Sequence, residues 1–84
     1  MAIELASKKI RVNALCPGAV MTPMQLAEYT EEMFKEVNQN IPLARHADPG
    51  EIAAFAAFLS SDEASFITGH YYIIDGGEMA RAVL

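Results

Sequence analysis

Few side chains in this sequence are placed to do covalent chemistry. Cys16 closes an apolar run immediately before Pro17-Gly18, where a thiol could face a ligand. No His or Lys stands beside it in the chain to favour a thiolate. A free cysteine in apolar surroundings packs as a small hydrophobe, so Cys16 is read as buried and inert. His46 and His70 stand far apart, with no carboxylate or second ligand at metal-binding spacing. They read as surface or loop residues, and no metal site is assigned. What remains is backbone chemistry. Pro17-Gly18 bares the main chain at the end of an apolar run, and glycine lets a flat ligand approach peptide N–H and C=O groups. Equally, Pro-Gly can simply end a strand, and Thr22 can simply cap the helix that Pro23 opens. Spacing alone leaves both readings open.

The elements that position these residues are legible from local signals. Met1–Lys9 consists of good helix formers with Lys8 and Lys9 at the end the dipole favours. It is barely two turns long and has no N-cap, so it reads as the tail of a longer helix. Ile10–Cys16 is a nearly continuous apolar strand, the pattern of a parallel sheet covered on both faces. Thr22-Pro23-Met24-Gln25 has the residues of a capping box, with Pro at the first helical position. Thr30-Glu31-Glu32 starts a second helix, which Asn40-Ile41-Pro42 ends. Asp48-Pro49-Gly50-Glu51 opens a long helix through Leu59. Its Ile52, Phe55, Ala56 and Leu59 share one face, and the alanines make it apolar nearly all round. Ser60–Ala64 allows one further turn, and Gly69 suits a helix cap. Tyr71–Ile74 is a second strand, halted by Asp75-Gly76-Gly77. The order predicts one βαβ crossover with parallel strands.

Composition bounds the partners. The chain has 84 residues and a formal net charge of −5, against a nucleic-acid surface, which needs clustered positive charge. No apolar run is long enough for a membrane span, and no signal peptide is apparent at the N-terminus. One cysteine forbids an intrachain disulfide and fits a reducing, cytoplasmic setting. Yet 52% of the residues are hydrophobic. Two strands cannot bury a crossover helix and a helix tail as an independent sheet, so the sheet is read as incomplete in this chain.

The ordered set IRVNALCPGAVMTPM and IPLARHADPGEIAAFAAFLSSDEASFITGHYYIIDGG resembles the C-terminal part of the short-chain dehydrogenase/reductase family. The match runs from Ala2 to Gly77. The resemblance implies an α/β fold in which the two strands are the last two of a doubly wound, Rossmann-type parallel sheet. Residues 1–84 are then part of a single domain: the end of a helix, the penultimate strand, substrate-lid helices over about 21–47, a long helix over about 49–59 and the last strand over about 70–75. It also implies that Pro17, Gly18, Val20 and Thr22 bind the nicotinamide end of NAD or NADP: Val20 through its main chain, Thr22 through its hydroxyl.

The departures from the family pattern matter as much. There is no Gly-rich pyrophosphate turn and no Tyr-x-x-x-Lys: Tyr29, Tyr71 and Tyr72 are followed four residues on by Met33, Asp75 and Gly76. The family's catalytic Ser, Tyr and Lys fall upstream of Met1, so no catalytic residue is assigned here. The implied function is the C-terminal fragment of an NAD(P)-dependent alcohol/carbonyl oxidoreductase, inactive alone, supplying the nicotinamide-side wall, a methionine-rich lid over a small-molecule substrate and a subunit interface. Its partners would be a second copy or the missing N-terminal part of the same fold, with neither nucleic acid nor membrane. The alternative is a truncated, non-catalytic module that self-associates or docks to a full-length relative.

Overall fold

A computed structural model describes residues 1–82 as α1 (Ala2–Ala6), β1 (Ala14–Pro17), α2 (Pro23–Glu28), α3 (Glu31–Gln39), α4 (Pro49–Leu59), a 3-10 turn (Asp62–Ala64), β2 (Tyr71–Ile74) and α5 (Glu78–Ala82). The strands run parallel in the register Ala14↔Tyr71 to Pro17↔Ile74, joined by a crossover that contains α4. Alternation along a strand puts Leu15, Pro17, Tyr72 and Ile74 on one face and Ala14, Cys16, Tyr71 and Ile73 on the other. Helix α4 covers the first face, with the Phe55 and Tyr72 rings 5.6 Å apart. The second face is open: Tyr71 is 70% exposed and Ile73 47%.

Local chemistry sets the element ends. The Thr22 and Thr30 hydroxyl oxygens accept from the Gln25 and Met33 amides at 3.3 and 3.2 Å. The capping box at Thr22 is half made, since no return bond from the Gln25 side chain is present among the described residues and Gln25 Oε1 lies buried without a partner. At α4, Glu51 Oε1 accepts from the Asp48 amide at 2.9 Å. Helix α1 stops sooner than its composition predicts. Lys9 turns left-handed (φ 61°), with its N–H on Ala6 O at 3.0 Å and the Ile10 N–H on Leu5 O at 3.2 Å. That is the bonding of a Schellman end, so Lys8 and Lys9 lie beyond the helix.

Strand β1 is also shorter than the apolar run. Residues 10–13 are held largely by side chains, with a single backbone bond across to the segment before β2. The Arg11 guanidinium donates to Leu59 O at 2.8 Å and Ser61 O at 3.1 Å, satisfying carbonyls at the C-terminal end of α4. Asn13 Nδ2 donates to Ile67 O at 3.0 Å, and Thr68 Oγ1 accepts from the Val12 amide at 3.1 Å. Gly69 is left-handed (φ 85°), but it ends no helix. Its N–H bonds Val12 O at 2.9 Å, at the entrance to β2.

After β2 the chain turns on Asp75-Gly76-Gly77. The two carboxylate oxygens of Asp75 accept from the Gly77 and Met79 amides, both at 2.9 Å. This nucleates α5, a helix that sequence reading passes over. Gly76 (φ 65°) lies so close to Ile41 that a Cβ would stand 2.7 Å from its Cγ2. The turn thus seats the loop that follows α3, and Ile41 is only 3% exposed.

Candidate functional site

The four residues implied for cofactor binding lie together at the carboxyl end of β1. Pro17 closes the strand, and the Gly18 amide extends the pairing to Ile74 O at 2.8 Å. The bare backbone of Gly18 has a reason inside the chain: a Cβ there would stand 2.8 Å from Asp75 Cβ and 3.0 Å from Asp75 Cα. Its φ is not among the left-handed ones, so close approach, not backbone angle, calls for glycine. Pro17 and Gly18 also line a groove on the open sheet face with Cys16, Ile73, Asp75 and Met79. Cys16 is exposed there, which corrects the expectation that it is buried.

Beyond Gly18 the chain forms one further parallel bridge, Val20↔Ala47. The Ala47 amide donates to Ala19 O at 3.0 Å, and Ala47 O accepts from the Met21 amide at 2.8 Å. In a parallel bridge of this kind the bracketed residue turns its own N–H and C=O the other way. Val20 accordingly makes no hydrogen bond among the described residues through either group. It presents one donor and one acceptor side by side at the strand end. That pair is the complement of a primary carboxamide, which offers one acceptor and one donor in return.

Thr22 caps α2 through its oxygen, as above. A hydroxyl that accepts one bond still carries its own hydrogen, so capping and ligand contact are compatible. The residues present therefore fit the carboxamide end of a nicotinamide, with Val20 providing main-chain groups and Thr22 a donor.

Two polar arrangements here were not legible in the sequence. Arg45 meets Glu51 in a two-pronged pair at 2.7 and 2.9 Å. The Arg45 bond, then the Asp48 amide, pull the Glu51 carboxyl down to about 2. His46 lies in a loop, one of the two places expected, but not at the surface: it is 5% exposed. Its Nδ1 lies 2.6 Å from Asn38 Oδ1, and its ring meets Phe34 edge-on with centroids 5.1 Å apart. Each joins residues from different segments, whereas single-sequence patterns report only neighbours along the chain.

Comparison with known proteins bears on the fold and the family. The family profile described as enoyl-(acyl carrier protein) reductase matches residues 1–78. The oxidoreductase UcpA of Escherichia coli O157:H7 is 48% identical, over 92% of this chain and 32% of its own length. A short chain dehydrogenase family protein from Francisella tularensis superposes with TM-score 0.85 at 39% identity, over 94% of this chain and 37% of that one. A 4-hydroxyisoleucine dehydrogenase mutant complexed with NADH and succinate superposes at 0.86 and 33% identity, covering 95% and 33%. The chain thus spans about a third of the length of the relatives it matches. With an α/β fold, a parallel strand pair and this match over nearly its whole length, the chain belongs to the short-chain dehydrogenase/reductase family.

Proposed function

We propose that this chain is the C-terminal part of an NAD(P)-dependent oxidoreductase that interconverts an alcohol and a carbonyl, and that it supplies the nicotinamide-side wall, the substrate lid and a subunit interface. The observation that carries the reading is Val20, whose peptide N–H and C=O are turned out beyond the strand ends while Ala47 holds its neighbours. Open α/β sheets bind ligands at that end of their strands. A bound nicotinamide would supply or accept the hydride. This chain's part is to orient the carboxamide through Val20, donate from Thr22 and bring backbone close at Pro17-Gly18.

Helices α2 and α3 form the lid. Their Met24 is 70% exposed, Leu26 60% and Met33 41%, an apolar surface that repacks easily around a substrate. Residues 1–84 contain no Tyr-x-x-x-Lys, so on this reading the acid/base residues belong to the rest of the fold and the chain alone is inactive. A cytoplasmic setting fits a free thiol. Among the described residues no helix is long and apolar enough to cross a membrane.

The test uses an intact fold in which residues 1–84 replace the matching third of UcpA. Val20→Pro removes the N–H, whereas Val20→Ile keeps the main chain and changes only the side chain. Nicotinamide fluorescence should show NADH or NADPH binding to the parent and to the isoleucine variant. Binding should be about tenfold weaker or worse with proline, since one net hydrogen bond is worth roughly 0.5–1.5 kcal/mol and proline also restrains φ. Equal affinity in all three would refute the assignment.

A further inference from the structure

We propose that His46 is a positioning residue: its buried hydrogen bond to Asn38 fixes lid helix α3 to the segment whose backbone brackets Val20. The inference rests on the role proposed above for Val20. His46 is an anomaly in a molecule with so little interior. It is 5% exposed, and among the described residues only Ile41 and Ala64 are buried apolar residues.

The Asn38 carbonyl oxygen only accepts, so Nδ1, 2.6 Å away, carries the hydrogen. Nε2 is then a bare lone pair, buried with no partner among the described residues. Burying a polar atom unpaired is costly, and ordinary packing would be served better by an apolar ring. What the imidazole adds is the one N–H that reaches α3.

That contact is made by one face of the helix. Phe34 and Asn38 stand one turn apart (i, i+4). Phe34 lies edge-on to the imidazole, while Asn38 holds Nδ1. Phe34 in turn rests on Tyr29, centroids 5.4 Å apart, so the joint between α2 and α3 is part of the same cluster. On the other side, His46 is covalently joined to Ala47. The Ala47 N–H and C=O grip Ala19 and Met21 at 3.0 and 2.8 Å. A shift of α3 that carries His46 with it must therefore move the clamp around Val20. A phenyl ring at position 46 would keep the volume and lose the N–H. Asparagine would lose volume but place an N–H near the position of Nδ1.

The test uses the same intact fold and compares the parent with His46→Phe, His46→Asn and Asn38→Ala, the last approaching the bond from a half-buried helix position. NADH and NADPH affinity, melting temperature and amide hydrogen exchange over residues 19–47 are read for each. His46→Phe and Asn38→Ala should weaken cofactor binding by about three- to tenfold, the range of one net hydrogen bond. They should also speed exchange in α3 and at Met21 and Ala47. His46→Asn should restore most of the affinity. The proposal is overturned if His46→Phe binds like the parent, or if His46→Asn binds no better than His46→Phe. Should the parent bind neither cofactor, the function proposed above fails, and exchange alone then decides. Faster exchange at Met21 and Ala47 in the Asn38 variant would uphold the coupling, and unchanged exchange would overturn it.

Discussion

Gly18 shows how a single residue can answer to two demands. Its neighbours in sequence mark it as backbone bared for a flat ring. In the structure the space over its Cα is already taken by Asp75, the residue whose carboxylate starts α5. Gly18→Val should therefore act on folding before it acts on ligand binding. Forcing a side chain into a filled site costs about 1–3 kcal/mol, and Asp75 can retreat only by disturbing its own turn. Thr22→Val removes a cap worth about 1 kcal/mol and a donor whose loss lowers cofactor affinity by roughly tenfold or less. Thermal melts of the cofactor-free intact fold, set beside calorimetric titration, separate the two. The expected result is a large melting shift for Gly18→Val and a small one with weakened binding for Thr22→Val. If Gly18→Val melts like the parent, the Asp75 contact does not constrain the turn. Thr22 was legible because a hydroxyl before Pro and three residues before Gln is a local signal. Asp75 was not, because nothing near Gly18 in sequence points to a residue in the turn that follows the other strand.

Among the elements, the helix starts were readable and the strand limits were not, for the same physical reason. A cap is made by residues within one turn of each other, whereas a strand extends only as far as its partner lies alongside. Ile10–Asn13 has strand composition, yet its backbone and side chains are spent on the Arg11, Asn13 and Thr68 bonds instead. Helix α4 adds an electrostatic lock at its start. Glu51 accepts from both Arg45 and the Asp48 amide, and its carboxyl is lowered from 4.5 to about 2. A depressed acid stabilises the folded state above its unfolded value and loses that contribution as pH falls through the folded one. The lock should thus be whole above about pH 4.5 and vanish towards pH 2. Melting curves of the intact fold should show the parent losing its advantage over Glu51→Gln across that window. A constant difference down to pH 2 would contradict the ionic origin. Also on α4, Phe58 is 39% exposed, its ring 6.1 Å from that of Phe55. If this helix forms the proposed subunit interface, Phe58→Asp buries an unpaired charge there and should split the assembly while leaving each subunit folded. Light scattering that still reports the full assembly would remove Phe58 from the interface.

The scale of the whole molecule explains why so much of the chain's apolar character stays outside. A compact monomer of 9.1 kDa exposes about 4900 Å² by the usual size scaling, whereas this chain exposes 6472 Å². Its radius of gyration, 15.8 Å, likewise exceeds the roughly 12 Å of a compact domain of this length. The excess of roughly 1600 Å² is about twice what one partner buries in a standard protein–protein interface. Much of the apolar part is contiguous: Tyr71 and Ile73 on the open sheet face, with Met79 beside them in the same groove. Surface of that kind drives association, and the two apolar side chains buried among the described residues cannot offset the conformational entropy of ordering them. The isolated chain should therefore form oligomers or aggregates rather than a monomer that unfolds cooperatively, and analytical ultracentrifugation combined with thermal melts reads this directly. It should also leave nicotinamide fluorescence unchanged on mixing with NADH or NADPH, because the proposed Val20 and Thr22 contacts would reach only one end of the cofactor and the chain has no Gly-rich phosphate turn. The two outcomes are linked. A compact monomer would mean that the open sheet face has found cover within the chain, and micromolar cofactor binding would mean that the strand-end contacts suffice alone. Either result would require a different account of how this third of the fold contributes to the proposed enzyme.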